Sequence, residues 1–218
     1  MIEKELVKRI FSSLVLIPIS LFFIIKGEIF FNFFVIIMLL ITLYEWHFLS
    51  FKKAFYLPGF IFIILSFYTF FILRHEGDYR IFLLILLTCV ATDIGGYVFG
   101  KIFKGPKLTK ISPNKTYAGM FGGFLLSVIL ASIFFNNLSN LSLVESNGEI
   151  GIQIMLIVLS ISFISQVGDI VISFFKRKSK IKNTGKIIPG HGGLLDRIDG
   201  MIFAFPLFYI IELIEFLN

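Results

Sequence analysis

Apolar residues fall in long runs along this chain. Residues 10–25, 29–44, 55–73, 81–99, 117–135, 151–175 and 201–217 form seven such runs, separated by short polar breaks holding Lys, Gly, Pro and Asn. Roughly 20 mostly apolar residues make a helix that crosses the roughly 30 Å of hydrocarbon in a bilayer. The pattern predicts an all-α, polytopic integral membrane protein with about seven transmembrane helices, or up to nine because some runs are short for a full crossing. Residues 1–218 are expected to form a single transmembrane domain. Lys8 and Arg9 precede the first run as they would in a secretory signal. No small-residue cleavage site follows and the next run begins almost at once, so the first run is expected to stay as an anchor.

Composition supports the same class. Of the 218 residues, 57% are hydrophobic and 16% charged, and 29 are Phe; soluble domains carry about 25% charged residues. A soluble cytosolic domain and a disordered chain are excluded, and the single Cys, Cys89, excludes a disulfide scaffold and Cys-type metal fingers. The net charge of +6 is unevenly spread: with the N-terminus in the cytosol, the inner segments hold 17 of the 20 Lys and Arg, leaving Lys26, Arg74 and Arg80 outside. This is the positive-inside pattern, and it sets the N-terminus inside and the C-terminus outside. The charge is therefore a cytosolic-face charge, suited to an anionic lipid or a phosphorylated substrate, and not a nucleic-acid signature. The outer loop 136–149 holds no Lys or Arg and carries no functional signal.

Ionisable residues inside a membrane span are costly and by default mark function. Asp93 lies late in the fourth run, Asp169 late in the sixth, and Asp196 and Asp199 open the seventh. The topology brings all four to one depth on the cytosolic side, beside two basic loops. Gln166, Asp169, Ser173 and Lys176 are spaced to share one helix face, as are Asp196 and Asp199. Carboxylates gathered beside Lys and Arg suit Mg²⁺ held together with a phosphate. Asp93 taken alone fits equally well as half of a structural ion pair. His47, His75, Cys89, Glu212 and Glu215 carry no expected chemistry. Gly190, Gly192 and Gly193 surround His191, where glycine lets backbone N–H groups approach a ligand. Gly95, Gly96 and Gly100 serve either such an approach or close helix packing. A P-loop is absent, because Pro106 and Lys107 follow Gly105.

The segment 173–199, SFFKRKSKIKNTGKIIPGHGGLLDRID, strongly resembles the signature of the phosphatidate cytidylyltransferases, or CDP-diacylglycerol synthases. The matching positions are Ser173, Lys176, Arg177, Lys182, Pro189, His191, Gly192, Gly193, Asp196, Arg197 and Asp199. Upstream, Ser112-Pro113-Asn114-Lys115-Thr116 with Gly119 is similar to the family's Ser-Pro-x-Lys-Thr stretch, and Gln166 with Gly168 and Asp169 is similar to the segment before the signature. Two positions depart: Asn183 stands where the family usually has Asp, and Ile172 where many members have Glu.

The resemblance implies transfer of the cytidylyl group of CTP to phosphatidate, giving CDP-diacylglycerol and pyrophosphate with Mg²⁺. It implies Asp169 and Asp196 as metal ligands, with Asp199 as a ligand or the partner of one. Lys176, Arg177, Lys182 and Arg197 are expected to hold phosphates, with Ser173, Gly192 and Gly193 binding substrate beside them. Ser112, Lys115 and Thr116 are expected to bind CTP or the lipid headgroup, and His191 to donate to a phosphate. The expected partners are CTP and phosphatidate within the bilayer, with no nucleic acid; a homodimer is left open. The expected location is the bacterial inner membrane, with the active site facing the cytosol. Two other readings stand beside this one: an ion-coupled transporter, which tends to show paired half-structures, and a cytidylyltransferase acting on a different lipid phosphate.

Overall fold

Each expected run lies in one helix. The structure, a computed structural model, describes residues 2–136, 151–188 and 192–217, with side chains described for 14–135, 151–188 and 192–214. The helices are α1 (Ile2–Lys26), α2 (Glu28–Ser50), α3 (Tyr56–His75), α4 (Tyr79–Phe103), α5 (Tyr117–Asn136), α6 (Ile152–Lys178), α7 (Leu195–Ile198) and α8 (Met201–Leu217). No β-strand occurs among the described residues, only the isolated bridges Lys107–Thr116 and Ile188–Gly192. Among the described residues five helices, α2 to α6, are long and apolar enough to cross a membrane. Leu14–Lys26 of α1 and Met201–Ile214 of α8 are shorter apolar stretches. Loop residues 137–149, Pro189, Gly190 and His191 lie outside the described residues.

The helices outlast the apolar runs at their polar ends: α2 continues to Ser50, α4 to Phe103 and α6 to Lys178. A helix ends where its backbone bonding is turned aside, not where apolarity ends. At α2 that happens at Lys52, with φ 61°, and at α4 at Lys104 and Gly105, with φ 53° and 97°. The buried face of α2 runs into this extension: Thr42, Glu45, Trp46 and Leu49 are all buried, at the i, i+3, i+4, i+7 spacing of one helix face.

Two ends of the bundle can be told apart by their bonds. At one, Arg74 of α3 donates through Nε to the Ile24 carbonyl (2.7 Å) and through Nη2 to that of Ile25 (3.3 Å), closing the last turn of α1. Gly27 makes the sharp α1–α2 break at φ 69°, and a side chain there would meet the Arg74 guanidinium. At the opposite end, Trp46 Nε1 donates to the Tyr56 carbonyl (3.0 Å), joining α2 to α3. Lys53 Nζ donates to the Leu49 carbonyl (2.8 Å) and to Ser179 Oγ (2.5 Å), tying the α2–α3 turn to the end of α6. The C-terminal ends of α2, α4 and α6 and the N-terminal ends of α3, α5 and α8 therefore share one end of the molecule. All four aspartates belong to it.

Phe31, Phe70, Phe82 and Phe205 help build the core, the Phe205 ring lying tilted against Phe70 and Phe82 with centroids 4.2 Å and 4.6 Å away. Other large apolar residues, such as Phe33, Leu40, Ile61, Phe121 and Phe163, are exposed on the helix surfaces, as expected of faces that meet lipid. Buried hydroxyls return their protons to the helix: Thr88 donates to the Leu84 carbonyl (2.8 Å) and Ser66 to that of Ile202 (2.7 Å), which joins α3 to α8.

The tightest helix pair is α4 with α5. A Cβ on Gly119 would stand 2.6 Å from the Gly96 carbonyl oxygen, and one on Gly95 would run into the Gly122 carbonyl. Of the two uses open for these glycines, the structure gives Gly95 that of close helix packing, whereas a Cβ on Gly96 would meet nothing nearer than 3.7 Å.

Candidate active site

The face expected on α6 forms. Asp169 receives the Lys115 ammonium at 2.6 Å on Oδ2 and Ser173 Oγ at 3.4 Å on Oδ1. Lys176, two turns further on, ion-pairs with Asp196 at 2.8 Å. Lys115 also donates to the Gln166 carbonyl at 3.3 Å. It is delivered by the segment between α4 and α5, where Leu108 N–H bonds the Lys115 carbonyl (2.8 Å) and Tyr117 N–H that of Pro106 (3.2 Å). Thr116 ends this segment with its hydroxyl accepting from Gly119 N–H (3.1 Å), which satisfies one of the open donors of the α5 N-terminus. Ser112 lies in the same segment, half-buried, its carbonyl accepting from Lys115 N–H (3.1 Å).

Three carboxylates gather around this face. Asp199, between α7 and α8, is 7% exposed and accepts from Gly200 N–H at 3.1 Å. Burial, then the nearby carboxylate of Asp169, push the Asp199 carboxyl well above the usual carboxylate range; Asp93 adds to this, while Lys176 and Lys115 oppose it. Asp93 feels Asp169, Lys115 and Arg197, and its side chain is nevertheless accessible. Asp93, given two readings by sequence, stands near the charges of this cluster.

Asp196 stands on the other side of Lys176. Its Oδ1 takes the Lys176 ammonium, and its Oδ2 accepts from Thr184 N–H (2.8 Å) and Gly193 N–H (3.1 Å). The two arms of the signature segment are thereby joined at their base, and Ile188 and Gly192 join them again through Ile188 N–H to Gly192 O (2.9 Å) and its reciprocal (3.1 Å). Gly192 has φ 95°, a conformation that side chains resist. Arg177, Lys182 and Arg197 are exposed at the rim. His191, expected to donate to a phosphate, lies outside the described residues.

Sequence reasoning missed Glu45. This residue of α2 is 1% exposed and accepts from Thr184 Oγ1 (2.8 Å), Leu194 N–H (2.9 Å) and Leu195 N–H (2.9 Å). The apolar run ends at residue 44, so Glu45 falls just outside it; the signal was its place on the buried face set by Thr42 and Leu49. Beside it a hollow of about 400 Å³ opens between α2 and the signature, lined by Tyr44, Phe48, Lys186 and Ile187 among others.

Asp93, Asp169 and Asp199 carry hard oxygen donors of the kind Mg²⁺ takes. Among the described residues no group of three His, Cys, Asp or Glu side chains is placed to hold a metal ion.

Residues 52–214 match the cytidylyltransferase family. A protein of Rickettsia felis named phosphatidate cytidylyltransferase is 34% identical over 221 residues, 97% of this chain and 94% of its own. Proteins of the same name from Staphylococcus epidermidis and Staphylococcus aureus are 37% identical over 159 residues and 38% over 161, each match covering 72% of this chain and 58% of the relative. The chain thus spans little more than half the length of the staphylococcal relatives it matches.

Proposed function

This chain belongs to the cytidylyltransferase family, and we propose that it transfers the cytidylyl group of CTP to phosphatidate, forming CDP-diacylglycerol and pyrophosphate. The observation that carries the reading is that Asp93, Asp169 and Asp199 lie close enough to feel one another's charge, beside Lys115, Lys176 and Arg197. Such a site can hold two polyanions together, which is the obstacle this reaction presents. An oxygen of the lipid phosphate bonds to the α-phosphorus of CTP, the bond from that phosphorus to the bridging oxygen breaks, and pyrophosphate leaves with the electron pair. Phosphatidate is already ionised, so no side chain has to remove a proton.

Asp169 and Asp199 would hold Mg²⁺, with Asp196 offering the lone pair its three donors leave free. When bound, the ion would neutralise the phosphate charge that builds during transfer. Lys176, Arg177, Lys182 and Arg197 hold phosphate oxygens, Arg with its fork geometry. Ser173, Gly192 and Gly193 contact substrate beside them. Ser112, Lys115 and Thr116 bind the nucleotide or the headgroup, so Lys115 exchanges Asp169 for phosphate when substrate enters. His191 donates to a phosphate. The acyl chains stay in the bilayer.

Seven helices cross the membrane in this reading, with the N-terminus and the active site on the cytosolic side of the bacterial inner membrane. The positive-inside distribution of Lys and Arg supports it. Purified protein in detergent, given labelled CTP, phosphatidate and Mg²⁺, is expected to form a liponucleotide only when all three are present. A folded protein that forms none, or that instead couples ion flux in vesicles, would overturn the proposal.

A further inference from the structure

We infer that Glu45 is a positioning residue: it fixes both arms of the signature segment against α2 and so holds Asp196, Arg197 and Asp199 in register with α6. The inference rests on the function proposed above.

A carboxylate in an apolar core is costly unless hydrogen bonds replace its water. Glu45 is buried between Thr42, at 0% exposed, and Trp46, at 2%, and its three donors all come from the signature segment. They are neutral: one hydroxyl and two successive backbone N–H groups. A lysine partner would give charge balance on a flexible stem, whereas backbone N–H groups bind where the chain itself is. Glu45 therefore constrains main-chain position. It reaches both arms, Thr184 on one and Leu194 with Leu195 on the other.

The segment is shaped to receive it. A Cβ on Gly193 would stand 2.5 Å from Glu45 Oε2 and 2.7 Å from Gly185 N, and one on Gly185 would stand 2.5 Å from Glu45 Oε1. Two glycines thus clear the space the carboxylate fills. Thr184 passes the constraint on: its hydroxyl bonds Glu45 while its N–H bonds Asp196. Leu195 adjoins Asp196 directly. Glu45 touches no reacting group in this arrangement and acts through its neighbours.

Glu45→Gln keeps the volume and turns one acceptor oxygen into a donor facing donors. The full chain in detergent, assayed with CTP and phosphatidate, is expected to lose kcat by about 10²-fold, the order that misplaced catalytic groups cost. KM for each substrate should stay within about threefold, and the melting temperature should stay near that of the parent. Without substrate, trypsin should cut after Lys182 and Lys186 at least about tenfold faster. Thr184→Val, which removes one of the three bonds, should lose kcat less, and its loss should not add to that of Glu45→Gln. A kcat within twofold of the parent, a change confined to KM, or additive losses would overturn the inference. If Glu45→Gln does not fold, Thr184→Val decides by itself: unchanged kcat refutes the role. If the parent makes no liponucleotide, the functional proposal fails separately, and unchanged trypsin cleavage in Glu45→Gln still refutes the anchoring.

Discussion

Ile172 and Asn183, the two positions that depart from the resembled signature, sit in opposite surroundings. Ile172 is 3% exposed and lines an apolar hollow with Trp46, Phe175 and Phe203. A glutamate at 172 would meet no partner there, so Ile172→Glu is expected to destabilise the protein by about 2 kcal/mol or more, read as a lower melting temperature in detergent. Asn183 is exposed, and Asn183→Asp should leave turnover within about twofold. Asp196→Asn is different, because three donors converge on that carboxylate. With an amide, either Lys176 or the pair of N–H groups faces a donor; turnover should fall at least about 10²-fold in a protein that still folds. Full turnover in that variant would remove Asp196 from the site. The spacing of Asp169, Ser173 and Lys176 on one face was readable from sequence, since helical period alone decides it. That Asp196 pairs with Lys176, and that Asp169 pairs with Lys115, was not readable, because each pair spans separate segments.

At the scale of elements, α4 and α5 depend on backbone approaching backbone. Gly95→Ala places a methyl group against the Gly122 carbonyl, and neither helix backbone can swing aside as a side chain could. The expected loss is about 1–3 kcal/mol, the range for overpacked interfaces, measurable as a lower midpoint of thermal unfolding in detergent. Because α5 begins at the segment that carries Lys115, the same variant should also weaken turnover; an unchanged midpoint would mean the helices separate without cost. The glycines were visible in the sequence, but their use was undecided there, since packing and ligand approach ask for the same residue. Glu45 failed to register for a related reason. Apolar runs mark lipid-facing length, while the buried face of α2 continues past residue 44 with polar members.

For the whole molecule, charge and architecture agree on one functional end. With Cys89 replaced, a cysteine at Lys110 should react with a membrane-impermeant thiol reagent only in inverted vesicles, and one at Gly77 only in intact cells. The opposite labelling would reverse the proposed orientation. Lys110 belongs to the segment that supplies Lys115, and Gly77 follows the α3 end that carries Arg74, so the pair probes the two ends of the bundle.

The sequence by itself determined the class: long apolar runs and few charges leave a helical membrane protein, because hydrocarbon thickness sets run length. It also placed the aspartates at one end, since each falls at a predictable depth along its run. Only the tertiary structure decided which charges meet. The pairing of Lys115 with Asp169, the joining of two signature arms by Asp196, and the burial of Glu45 beneath them depend on how helices pack side by side, and no periodicity within one segment encodes its neighbour across the bundle.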